Sequence, residues 1–274
     1  MWGESWKLLS ENEYGAVWDR FDAHFNFKPS WSERVVPAIQ EPPPCVVFDI
    51  SGEWADALNG LFELALTSAG GPGDSLYFLD WQHEAYRIDP LATDALPIFP
   101  DGDYYSLLAE DFSFGTFGHP WQQSLCVFGA DLLTALPDAI YGSLPVLRVR
   151  LFAEDWTHDQ IEAAIAADGD HLNLVPLLIG LDAKDKTWAA RLCIALANHQ
   201  DPSVRGNALV GLGHLARREA EFDLDALANV LARGLDDPNH SVRTHAESAH
   251  ALIARFAGLV LMESPGGAAW FART

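Results

Sequence analysis

Six residues whose side chains can move protons or hold a metal fall near the ends of short apolar runs: Asp80, His83, Glu84, Asp101, Asp103 and His119. Carboxylates and imidazoles so placed can serve as general acids, general bases or metal ligands. Their spacing, however, matches none of the patterns such chemistry usually needs. There is no H-E-x-x-H, no paired C-x-x-C and no G-x-S-x-G, and Gly70 to Gly73 lack the Lys-Ser/Thr that follows a phosphate-binding loop. Asp101-Gly102-Asp103 reads more simply as a hairpin turn, and His119, between Gly118 and Pro120, as a structural histidine. Phe112, Phe114, Phe117 and Trp121 alternate as strand residues do, so core packing explains them before a binding surface does. His240, His245 and His250 recur at steps of five, which turns each by about 140° around a helix and keeps them off a common face. No catalytic residue, metal or cofactor is therefore assigned; an enzyme using His83, His119 and nearby carboxylates is the less favoured alternative.

The charge points toward a protein partner instead. The 274 residues include 39 acidic and 17 basic side chains, a formal net charge of -22. Residues 35 to 147 hold 16 carboxylates and a single basic residue, Arg87. That sign is opposite to what gripping a phosphate backbone demands, which excludes direct nucleic-acid binding. It suits a basic protein, because complementary potentials speed encounter and disfavour wrong partners. The partner-binding residues expected on this ground are Asp101, Asp103, Glu110 and Asp111, together with His119 and Trp121. A merely solvated acidic face is the plainer reading of the same residues.

The elements that must position these side chains are legible in part. Ser10 and Glu13 form a capping box ahead of a stripe of Tyr14, Val17, Trp18, Phe21 and Phe25, which predicts a helix. Cys45 to Ile50 reads as a strand, and Trp54, Leu58, Leu61, Phe62 and Ala65 mark a second helix closed at Gly70 to Gly73. Strands follow at 75–81, 84–89, 103–109, 112–117 and 124–129, then a short helix at 131–136 and a last strand at 145–152. The first domain, 1–153, is thus an acidic α+β domain with a largely antiparallel sheet.

Beyond about residue 153 the texture changes to Ala, Leu, Arg and His with a helical period. Thr157 and Gln160 form another capping box, and His171 to Gly180 adds a short helix. Ser203-Val204-Arg205 and Ser241-Val242-Arg243 are 38 residues apart, and that offset also pairs Ala208 with Ala246 and Arg217 with Arg255. A repeat of this length means stacked helix pairs, with turns at Asp201-Pro202 and Asp237-Pro238. The second domain, 157–262, is expected to be an all-α solenoid in which Arg205 and Arg243 bridge the turns of adjacent repeats.

The apolar runs fall short of the ~20 residues a membrane span requires. The opening residues lack the pattern of a secretory signal, and the three cysteines, Cys45, Cys126 and Cys193, are odd in number and widely spaced. These features predict a cytoplasmic protein with buried thiols.

The Asp-Pro turn followed by Val-Arg-x-x-Ala and an apolar stripe, over about residues 185 to 256, resembles HEAT-type repeats. Trp188 to Cys193 with Asp201 to Arg217 further resembles small bacterial HEAT-repeat proteins that accompany polymorphic toxins. The first half, through Phe27-Lys28-Pro29-Ser30, Glu41-Pro42-Pro43-Pro44, Asp80-Trp81-Gln82-His83, Asp101 to Tyr105 and Phe114 to Trp121, is similar to a bacterial family known as domain of unknown function 2716. That family brings no assigned chemistry. The toxin-associated resemblance implies an immunity protein that blocks a cognate toxin, for which a basic toxin domain would match the acidic half; a HEAT scaffold for another partner is the main alternative.

Overall fold

The computed structural model describes residues 5–29, 38–52, 55–93, 95–263 and 269–273; Trp54, Ser30 and Met1 to Glu4 lie outside the described residues. The chain falls into two compact units, Met1–Glu154 and Asp155–Thr274.

In the first unit a short strand, β1 (Trp6–Leu8), precedes α1 (Glu11–Phe25). The capping box starts that helix: the Ser10 N–H donates to Glu13 Oε2 at 2.9 Å, and the Glu13 N–H to Ser10 Oγ at 3.4 Å. There follow β2 (Cys45–Asp49), α2 (Ala55–Ala69), β3 (Leu76–Asp80), β4 (Ala85–Ile88), β5 (Tyr105–Ala109), β6 (Gly115–His119), β7 (Ser124–Phe128), α3 (Ala130–Ala135), α4 (Asp138–Ser143) and β8 (Val146–Arg150). The strands form one eight-stranded antiparallel sheet in the order β1-β4-β3-β5-β6-β7-β2-β8.

Both faces of its centre are covered. On one, Val17, Phe21 and Phe25 of α1 pack with Cys45, Val47, Leu79, Leu108, Phe117 and Phe128. On the other, Phe48 meets Phe62 of α2 at 6.3 Å between ring centroids and Tyr141 of α4 at 5.6 Å. Successive side chains of a strand point to opposite faces, so a strand covered on both must be apolar throughout, and Cys45-Val46-Val47-Phe48 is.

Three expectations need correcting here. The strand expected at 112–117 begins only at Gly115, because Phe112, at φ +67°, sits in the turn after β5 and donates its N–H to the Ala109 carbonyl at 2.9 Å. Its ring still returns to the core beside Phe25 and Tyr77, so the aromatic alternation came from a turn and a strand together. Asp101-Gly102-Asp103 closes no hairpin, since β4 and β5 both pair with β3 and the chain between them passes across it. Two elements, β1 and α4, are additional to those expected.

The second unit contains α5 (His158–Ala167), a 3₁₀ turn (Leu172–Leu174), α6 (Val175–Asp182), α7 (Lys186–Leu196), α8 (Pro202–Arg217), α9 (Leu224–Leu235) and α10 (His240–Ala257). Side-chain oxygens of Thr157, Asp185, Asp201, Asp223 and Asn239 cap five of these helices, each accepting a backbone N–H of the first turn. Arg205 donates to both carboxylate oxygens of Asp237, at 3.0 and 3.1 Å, and to the carbonyls of His199 and Gln200. One guanidinium thus joins the turn before α8 to the turn before α10. Arg243 instead donates to the carbonyls of Asp237 and Pro238, within its own turn.

The second unit is not all-α. Gly258 ends α10 at φ +64°, and β9 (Leu259–Glu263) pairs with β10 (Ala269–Arg273) in an antiparallel hairpin. An apolar run of this length fits a strand as well as a last helical turn, and the glycine decides between them. Among the described residues no helix is long and apolar enough to cross a membrane.

Candidate functional site

Strand pairing assembles part of the acidic constellation at one end of the sheet. Asp80 is the last residue of β3, His83 lies in the turn to β4, and Asp103 stands just before β5, whose Tyr105 is the register partner of Asp80. His83 Nδ1 lies 3.0 Å from Asp80 Oδ1 and 3.9 Å from Asp103 Oδ2. The two carboxylates are largely buried, with side chains 17% and 15% exposed, whereas His83 is 61% exposed. Gln82, at φ +69°, makes the tight turn that brings His83 back, and the Trp81 N–H is held by the Tyr104 carbonyl at 3.1 Å. Asp101 stands beside them and accepts from the Tyr105 hydroxyl, while Glu84 points to the Tyr86 hydroxyl.

Burial raises the Asp80 carboxyl above the ordinary carboxylate range, opposed by its bond to His83 and reinforced by the charges of Asp103 and Asp101. Burial likewise raises Asp103, against the stabilising Tyr104 N–H. The bond to Asp80 raises the His83 imidazole. These three residues could together hold a metal ion, since one ligand atom from each lies within 4.8 Å of the others.

His119 reaches the same end of the sheet but turns into the interior. It is 3% exposed, its Nδ1 accepts the Gln122 N–H at 3.1 Å, and its ring meets Tyr104 edge-on at 5.0 Å. Trp121 packs against the same core, 5.1 Å from Tyr104. Among the described residues the cavity against His119 measures about 10 Å³, room for roughly one water and no substrate. His119 thus offers a partner no surface, although it was expected to.

Glu110 and Asp111 lie at the other end of β5, a five-residue strand away from Asp103. The four carboxylates expected to act together therefore form two separate groups. Glu110 takes the hydroxyl of Ser75 and pairs with Arg87 Nε at 3.2 Å. Hydrogen bonds from the Ser113 side chain and then from its N–H, at 2.9 Å, hold the Asp111 carboxyl below the usual range. Both line a cleft of about 470 Å³, joined there by Asp74 and Asp131, with Leu76 and Phe114 among its apolar walls. Among the described residues no Lys or Arg lines it, although Arg87 pairs with its Glu110. Sequence reasoning missed Asp74 and Asp131: one follows the Gly70 to Gly73 turn, the other opens α3, and only the fold makes them neighbours. A carboxylate-walled cleft with apolar sides can take the stem and charged head of an arginine or lysine.

The three free cysteines, Cys45, Cys126 and Cys193, are buried. Contact with Cys45, and then burial, pushes the Cys126 thiol well above its ordinary range, so it is no nucleophile.

Comparison with known proteins places the first unit. The chain is 33% identical over 153 residues to the uncharacterized protein YxiI of Bacillus subtilis (strain 168), an alignment covering 48% of this chain and 92% of that protein. No solved structure matches the chain. Residues 8–133 match the family described as "Protein of unknown function (DUF2716)". With residues 8–133 matching that family and 92% of a relative 33% identical covered, the chain belongs to the DUF2716 family.

Proposed function

We propose that this chain is an immunity-type protein, active in the cytoplasm, that binds and neutralises a basic toxin domain. The observation that supports this reading is the cleft of about 470 Å³ edged by four carboxylates, Asp74, Glu110, Asp111 and Asp131, of which Glu110 already pairs with Arg87. Carboxylates facing a cleft wall gain from a cation that displaces water there, and they repel acidic competitors. The helical unit adds a second contact surface under a HEAT-type reading. Its support is the 38-residue offset between α8 and α10 and the Arg205–Asp237 bridge between successive turns. Neutralisation of this kind works by occupying the toxin's surface and needs no chemistry from the immunity protein.

The test is capture of the protein encoded beside this gene, washed at low and high salt, by the wild type and by a variant carrying Asp74→Asn, Glu110→Gln, Asp111→Asn and Asp131→Asn. The proposal expects capture of a toxin domain that high salt weakens and the four changes reduce about tenfold or more. Undiminished capture by the variant, or a non-toxic partner, contradicts it.

A further inference from the structure

We infer that Asp80, His83 and Asp103 form a binding site for a divalent transition-metal cation. The site is independent of the proposed toxin cleft, which lies at the opposite end of β5. Three elements deliver the ligands: the end of β3, the turn after it and the segment entering β5. One imidazole nitrogen and one oxygen from each carboxylate lie within 4.8 Å of each other, the separation of ligands around a single ion. The aspartates are mostly buried side by side, and among the described residues neither has a Lys or Arg ion-pair partner. Two largely buried carboxylates that share one imidazole, with the Tyr104 N–H on Asp103 as their other partner, are a costly arrangement, and a dication bound between them would relieve it.

The ligand set also sets the metal class. Magnesium and calcium prefer all-oxygen shells of six or more, whereas a nitrogen with two carboxylates suits zinc, manganese or their neighbours. Three protein ligands leave at least one position for water. His83 also lines a cleft of about 450 Å³ with Gln82, Glu84 and Tyr14, which gives the ion a path to solvent.

The experiment is calorimetric titration of the full, chelator-stripped chain with Zn²⁺ alone, then with Mg²⁺ and Ca²⁺. One tight Zn²⁺ site is expected, with Mg²⁺ and Ca²⁺ far weaker. Asp103→Asn and His83→Gln should each weaken it on the order of 100-fold and lower the tight stoichiometry by one. His83 is 61% exposed, so H83Q should fold even where D103N does not, and circular dichroism checks both. Absence of a tight site, or unchanged affinity and stoichiometry in H83Q, overturns the inference.

Discussion

His214 sits in α8 with its side chain 5% exposed and neither ring nitrogen hydrogen-bonded among the described residues. Burial, with the nearby charges of Arg217 and Arg218, lowers its pKa from 6.5 to about 4. The folded form therefore disfavours the proton that the unfolded chain accepts at its ordinary pKa. Stability from this residue is complete above pH 6.5 and drains away as pH falls toward 4, by about 3 kcal/mol in total. Urea unfolding at pH 7.5 and pH 5 should show about 2 kcal/mol of that loss in the wild type and a clearly smaller one in His214→Leu; equal losses would refute it. Nothing in Gly213-His214-Leu215 announces such burial, because a histidine on a helix reads as polar until the neighbouring helices are known. Asp80, His83 and Asp103 stood together among six candidates, but only the pairing of β3 with β5 brings Asp103 beside the other two.

Helices were legible where caps and period agree. The boxes at Ser10/Glu13 and Thr157/Gln160 both form, and the 38-residue offset reappears in the starts of α8 and α10. Short strands were less so: β1 has three residues and no period of its own, and the β9–β10 hairpin straddles residue 262, where the helical domain was expected to end. The packing of α6 on α8 depends on two glycines that the pattern passed over. A Cβ on Gly180 would come within 2.7 Å of Gly211 Cα, and one on Gly211 within 2.5 Å of the Pro176 carbonyl oxygen. Gly211→Ala should destabilise the chain by about 1–3 kcal/mol through forced separation of these helices. Gly60→Ala, with nothing within 4 Å of the added methyl, should instead stabilise α2 by about 0.5–1 kcal/mol. Thermal unfolding of the two variants reads both signs, and a stabilised Gly211→Ala would contradict the close approach.

The charge of the chain is unevenly placed: residues 1 to 150 carry 22 acidic and 7 basic side chains, the rest 17 and 10. Composition alone showed that bias but not its focus. Residues 74, 110, 111 and 131 meet in one cleft because the sheet and α3 bring them there, while Asp101 and Asp103 go to the opposite end of β5. If the cleft rather than the overall charge holds a basic toxin domain, position must matter more than the number of charges removed. The decisive measurement is the dissociation constant for the neighbouring gene's product of two variants that each lose two carboxylates, one with Glu110→Gln and Asp111→Asn, the other with Asp101→Asn and Asp103→Asn. Binding should weaken about tenfold or more in the first and less than about threefold in the second. Equal weakening of the two, or none in the first, would contradict a cleft built for a cationic partner.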